Sequence, residues 1–243
     1  MHRLAISSSA AILSAMLILV VGCEDPTKNK PAATVGSVIT ATSTSAKPAP
    51  IASVASAAPT VSASASAVAS AALAPGAVKY TVAADSSKVG FIGSKITGKH
   101  EGSFEKFTGT IELTNGKPES AKVSIDIDIA SVKTDQDKLI THLKSKDFFD
   151  VEHFPKATFV STSIVASTTP GSTHTVTGDF ELHGVKRAIS FPATITVTGD
   201  TASATAEFSI NRKDFGVVYP GKPDDLIKDG VLIKLAIKGI KAS

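Results

Sequence analysis

The chain of 243 residues has no tryptophan, two tyrosines, two methionines and one cysteine. A single cysteine excludes an intramolecular disulfide, so any folded domain must be held by its core alone. None of the six histidines is spaced i,i+2, i,i+3 or i,i+4 from another, which removes the usual local metal-site patterns, and no metal ligand set is predicted. No G-x-S-x-G, P-loop or dinucleotide fingerprint occurs, and no serine stands in a nucleophile context. Asp126-Ile-Asp-Ile-Ala130 starts like a calcium loop but lacks the third oxygen ligand and the glycine. The sequence therefore predicts neither an enzyme nor a cofactor protein. After residue 78 the charges nearly balance, with 21 Lys/Arg against 20 Asp/Glu. That balance leaves no electrostatic footprint for nucleic acid.

What is present divides the chain into three. Arg3 precedes an apolar run from Ala10 to Val21, too short for a comfortable membrane span but right for a signal-peptide core. The run ends Val20-Val21-Gly22-Cys23, which resembles a bacterial lipobox, so residues 1–22 are predicted to be a cleaved signal and Cys23 the lipidated N-terminus of an exported, membrane-anchored protein, facing the periplasm or the cell surface. From Glu24 to Ala77 the composition collapses to Ala, Ser, Thr, Pro and Val, without one aromatic residue. Such a stretch has too little core-forming surface to offset its ordering entropy, and residues 23–77 are expected to be a disordered tether with no part in folding. As a coil it would span roughly 40 Å.

All eleven phenylalanines and both tyrosines follow residue 78. There the pattern has period two. Val123, Ile125, Ile127 and Ile129 alternate with Asp126 and Asp128; Val231, Ile233, Leu235 and Ile237 alternate with Lys234 and Lys238. Similar runs cover 78–83, 88–96, 103–113, 157–165, 174–182, 188–198 and 201–210. Asn115-Gly116, Pro170-Gly171, His183-Gly184 and Gly199-Asp200 are turn signals between them. Eight or nine antiparallel strands with one apolar face each predict an all-β barrel or sandwich over 78–243. One helix is predicted near 135–145, where Leu139 and Leu143 recur at helical spacing behind Asp135 and Asp137. The connection that follows holds Phe148, Phe149 and Phe154, too apolar for a solvated loop, and is expected to close one end of the barrel.

Several blocks, in order, resemble the YceI-like family of lipocalin-like barrels. They are Asp85-Ser-Ser-Lys-Val-Gly-Phe91, Gly102-Ser-Phe-Glu-Lys-Phe-Thr-Gly-Thr-Ile111, the helix with Phe148-Phe149-Asp150, Thr177-Gly-Asp-Phe-Glu-Leu-His-Gly-Val-Lys-Arg187, and Ile210-Asn-Arg-Lys-Asp-Phe-Gly216. The chain departs from the pattern at Tyr80, where a tryptophan is expected, and at Phe180, where an aliphatic residue is commoner. The resemblance implies an extended lipocalin-like antiparallel barrel able to hold an elongated apolar lipid, such as a polyisoprenoid or quinone. The candidate lining from the apolar faces is Val89, Phe91, Phe104, Ile125, Ile127, Phe159, Phe180, Ile189, Phe191, Phe208, Ile210, Ile233 and Leu235. Arg212 has two readings: a bidentate head-group ligand, or a structural ion pair with Asp214 or Asp147. Three functions remain open: a membrane-tethered carrier or sensor of an apolar chain, a structural or interaction lipoprotein with a solid barrel, and, ranked last because no catalytic constellation is visible, an enzyme on apolar substrates.

Overall fold

The computed structural model describes residues 25–39 and 76–242. The predicted signal peptide and Cys23 lie outside the described residues. Strands follow the alternation read above: β1 (Thr34–Val38), β2 (Ala77–Ala83), β3 (Lys88–Lys95), β4 (Gly98–Phe104), β5 (Phe107–Thr114), β6 (Lys122–Asp128) and β7 (Val132–Thr134). The helix α1 (Asp137–Lys144) comes next. Then follow β8 (Lys156–Ala166), β9 (His174–Leu182), β10 (Val185–Thr198), β11 (Thr201–Asn211), the short pair β12 (Gly221–Lys222) and β13 (Asp225–Leu226), and β14 (Gly230–Lys241).

Eight of these strands close a ring in the order β2-β5-β6-β8-β9-β10-β11-β14 and back to β2, every pair antiparallel. Closure removes the exposed edges that an open sheet would present. Inward side chains of β2, β5 and β6 (Tyr80, Val82, Ile111, Leu113, Ile125) form one core cluster. Those of β9, β10 and β11 (Val176, Ile189, Phe191, Phe208, Ile210) form a second.

The ring does not stay cylindrical. At one end β14 leaves β2, with which it pairs only through residues 239–241, and instead pairs β3 through residues 232–236. β3 carries β4, and β4 carries β7, so a three-stranded flap widens this end. The sequence read 103–113 as one strand, whereas the chain breaks at Glu105-Lys106 to pass from the flap to the ring. Ser131 makes the break possible: its carbonyl accepts from the Glu105 N–H and its hydroxyl oxygen from the Lys106 N–H. α1 covers the same end, where Val132, Leu143, Phe148 and Val217 are buried together. This is the helix end; the opposite, hairpin end carries the connections 115–121, 167–173 and 199–200.

A second parting lies between β10 and β11. They pair only over residues 194–198 and 201–205. Towards the helix end the gap is filled by the segment 25–39. β1 pairs β10 antiparallel, with Val35 opposite Ile189, and Ala32 bridges Ser209 of β11. The Ala33 N–H donates to the Ser209 carbonyl at 2.8 Å and the Ser209 N–H to the Pro31 carbonyl at 2.9 Å. Ala33 and Val35 pack on the second core cluster. The expectation that residues 23–77 play no part in folding is therefore corrected for residues 25–39. Composition predicted disorder because the segment has little core-forming surface of its own. It becomes ordered because β10 and β11 leave their backbone groups unpaired at the gap, and each buried backbone group needs a partner.

Candidate functional site

The ring encloses a cavity of about 260 Å³ with an almost wholly apolar wall. All thirteen residues read from the alternating faces as candidate lining stand on that wall. On β11 alone the wall runs from Ala204 to Ile210, about 20 Å at the usual strand rise. The cavity is thus elongated, and its lining includes no acidic side chain.

Two glycines help to keep it open. Gly102 on β4 faces Phe91 on β3, and a Cβ there would meet the ring at 2.3 Å. Gly178 on β9 stands against the Phe159 ring, where a Cβ would meet it at 2.5 Å. Both aromatic rings lie over a bare backbone and cover the wall instead of projecting across the lumen. Phe91, Phe104 and Phe149 pack against one another at ring distances of 5.7–6.5 Å and floor the helix end.

Some lining residues escaped the sequence reading. Ile164 follows a register shift between Ser161 and Ser163 on β8. The bulge moves it to the inner face, although strict alternation from Phe159 points it outward. Leu143 and Phe148 reach the lumen from outside the ring strands. Val176 and Ile237 belonged to recognised alternating runs and had a legible signal.

A family model described as the YceI-like domain matches residues 80–239. The chain belongs to the YceI-like family. A UPF0312 protein of Pseudomonas putida is 33% identical over 146 residues, which are 58% of this chain and 73% of that protein. The crystal structure of Burkholderia cenocepacia BcnA superimposes with a TM-score of 0.57 at 27% identity, covering 65% of this chain and 98% of BcnA. A domain of Saccharophagus degradans, described as a polyisoprenoid binding domain implicated in plant cell wall breakdown, gives a TM-score of 0.54 over 68% of this chain and 99% of that domain. At 16% identity this last likeness shows the fold alone.

Against the YceI-like pattern, Tyr80 keeps a buried place in the wall of the ring, and its hydroxyl donates to the Gly199 carbonyl at 3.1 Å. Phe180 lines the lumen and meets Phe215 edge-on at 5.2 Å. Phe148 and Phe149 belong to the end closure, as expected. Phe154 does not: its ring packs on His183 at 4.7 Å, at the β9–β10 turn. The closing cluster is corrected accordingly. Phe154 is carried away by the turn of chain whose Phe154 N–H donates to the Asp150 carbonyl.

Arg212 is buried at the rim of the helix end. Its Nη1 donates to the Val217 carbonyl at 2.7 Å, its Nε to the Lys228 carbonyl at 3.2 Å, and its Nη2 to the Ile227 carbonyl and to the Asp229 carboxylate at 3.3 Å. The ion-pair partner is thus Asp229, neither Asp214 nor Asp147. Asp147 meets His142 instead, at 3.2 Å. Burial pulls the guanidinium pKa below its ordinary value, opposed by the Asp229 charge. With most of its donors on rim carbonyls, Arg212 ties together three stretches of chain. That geometry favours the structural reading over a head-group ligand.

Proposed function

We propose that the protein binds one elongated apolar lipid of isoprenoid type, a polyprenyl chain or a quinone tail, inside the barrel, and serves as a membrane-tethered carrier or sensor of it. The observation that carries this reading is the long apolar cavity in a closed ring. A side-chain-filled barrel would have no such space, so the cavity favours a ligand over a solid interaction module. Burial of a hydrocarbon chain is favourable by about 25 cal/mol per Å² and needs no charged contacts along its length. Any polar head would remain at the helix end, where the rim carbonyls are already satisfied by Arg212. The fold shared with the polyisoprenoid binding domain of Saccharophagus degradans supports the ligand class. The Val20-Val21-Gly22-Cys23 motif supports export, lipidation at Cys23 and a membrane-bound site of action.

The test is organic extraction of the protein purified from its own membranes, followed by mass spectrometry. An isoprenoid lipid in near-stoichiometric amount is expected. Ala206, buried on the lumen wall of β11, gives the control. Ala206→Leu adds volume to the lumen at an overpacking cost of about 1–3 kcal/mol and should lose the lipid while remaining folded. Extracts free of apolar lipid from both proteins would return the choice to the surface-acting barrel. Cys23→Ser should release the protein from membranes; retention after a high-salt wash would refute lipidation.

A further inference from the structure

Asp25 is held at the helix end of the barrel: its carboxylate accepts from the Lys228 amine at 3.0 Å and from the Thr27 N–H and hydroxyl. Cys23 is two residues earlier, at most roughly 7 Å of extended chain away. An anchor at Cys23 therefore does not sit at the far side of a 54-residue coil from the barrel. The first described residue after it, Asp25, is bonded to Lys228 on the lumen wall.

The same rim carries three exposed apolar side chains. Ile96 is 57% exposed, Val218 61% and Leu226 46%. They are close in space. The Ile96 N–H donates to the Leu226 carbonyl at 3.1 Å, and Arg212 bonds both the Val217 and Ile227 carbonyls, which places Val218 and Leu226 on adjoining loops. A single exposed aliphatic residue needs no explanation, but a group around the end of an apolar lumen marks a contact surface. Several charges around it form ion pairs: Lys95 with Asp225, Arg212 and Lys213 with Asp229, and Lys228 with Asp25. The rim thus presents hydrocarbon beside ion-paired side chains, four cations against three carboxylates.

We propose that this rim is a docking face for the bilayer, with Ile96, Val218 and Leu226 entering the boundary between head groups and acyl chains and the lumen facing the membrane. The proposal rests on the lipidation reading for its anchor. A tether of two residues holds the rim at high effective concentration against the surface, so three side chains suffice where a free protein would need more. Docked in this way, an apolar chain passes between bilayer and lumen without crossing water.

The sequence itself supplies the probes, since Cys23 is the only cysteine and tryptophan is absent. The chain from Cys23 onward, which keeps every described residue, is coupled through its thiol to a maleimide phospholipid in phosphatidylcholine–phosphatidylglycerol vesicles. Attachment then does not depend on cellular acylation. Leu226→Trp and, as a second reporter, Val218→Trp are compared with Val165→Trp, an exposed position at the hairpin end. The two rim indoles should shift to shorter wavelength and be quenched by brominated lipids, while the indole at 165 stays as in water. Quenching absent at both rim positions, or equal at all three, overturns the docking face. The mass of the N-terminal peptide from the native protein reports separately whether Cys23 is acylated, so the two readings fail independently.

Discussion

The barrel parts at its helix end in two places, and the two gaps are mended differently. Between β14 and the β5–β6 side the filling is the flap β3-β4-β7, reached from the ring by short connections. It is sealed by the buried cluster of Val132, Leu143, Phe148 and Val217. Between β10 and β11 the filling is the segment 25–39, with 36 residues of low-complexity chain before the next described residue. It is held by a few backbone bonds, Arg187 donating to the Gly36 carbonyl, and the pairs Lys30–Glu207 and Lys228–Asp25. One repair is hydrophobic and local; the other is polar and remote. The first should therefore behave as part of the global fold and the second as a separately opening unit.

The largest effect should come from the flap side. Phe148 is buried, touching His142 at 4.9 Å and Tyr219 at 5.3 Å between ring centres. Phe148→Ala should cost about 3–5 kcal/mol of global stability, as truncation of buried phenylalanines does. Phe149 is only half-buried and should cost less. Denaturant unfolding measures both. A Phe148→Ala midpoint equal to that of the parent would show that the flap is no part of the cooperative core.

The same difference explains what was legible in the sequence. The ring strands announced themselves because one face is buried and the other solvated, which forces alternation on residues such as Ile125/Asp126 and Ile233/Lys234. α1 and Phe148-Phe149 were legible because buried aromatic bulk in a connection has few explanations. The bulge before Ile164 was not, because one unpaired residue inverts the alternation without changing composition. β1 was hidden for another reason. Its order comes from vacant backbone partners on β10 and β11, and Thr-Val-Gly-Ser-Val carries no pattern that distinguishes it from its Ala/Ser/Thr surroundings. Arg212 was seen as a residue of interest, but its partner Asp229 lies 17 residues on, across a loop that sequence spacing does not fold.

A middle-sized effect is expected from removing the strap. A chain that starts at Gly76 should lose about 1–3 kcal/mol, from several partly exposed hydrogen bonds less the entropy of closing a long loop. For a domain of this size that is a fall of roughly 2–10 °C in Tm. The bare β10–β11 gap should also raise hydrogen exchange along residues 186–190. A melting temperature equal to that of the intact chain would make the strap an ornament on a complete barrel and restore the free tether.

The smallest effect isolates a single carboxylate. The Asp25 pKa is held down to about 2, first by the Thr27 hydroxyl, then by the Thr27 N–H, then by Lys228. Hydrogen bonding from Lys30 likewise holds Glu207 below the ordinary value. A carboxyl depressed in the folded state favours docking above its ordinary pKa of about 3.9, and that contribution is lost as pH falls towards 2. The strap should therefore loosen between about pH 4 and pH 2, while the hydrophobic flap, with no such carboxylate in its buried cluster, stays closed. At neutral pH Asp25→Asn should cost about 1 kcal/mol, since solvent screens a partly exposed pair. The readout is exchange of the Ala33 and Ile39 amides, which donate to Ser209 and Lys186 across the two sides of the gap. About fivefold faster exchange at both is expected, with core amides such as Phe208 unchanged. If Ala33 and Ile39 exchange no faster in Asp25→Asn, and acid does not release them ahead of the core once intrinsic rates are corrected, the strap is not a separate unit and the contrast between the two repairs fails.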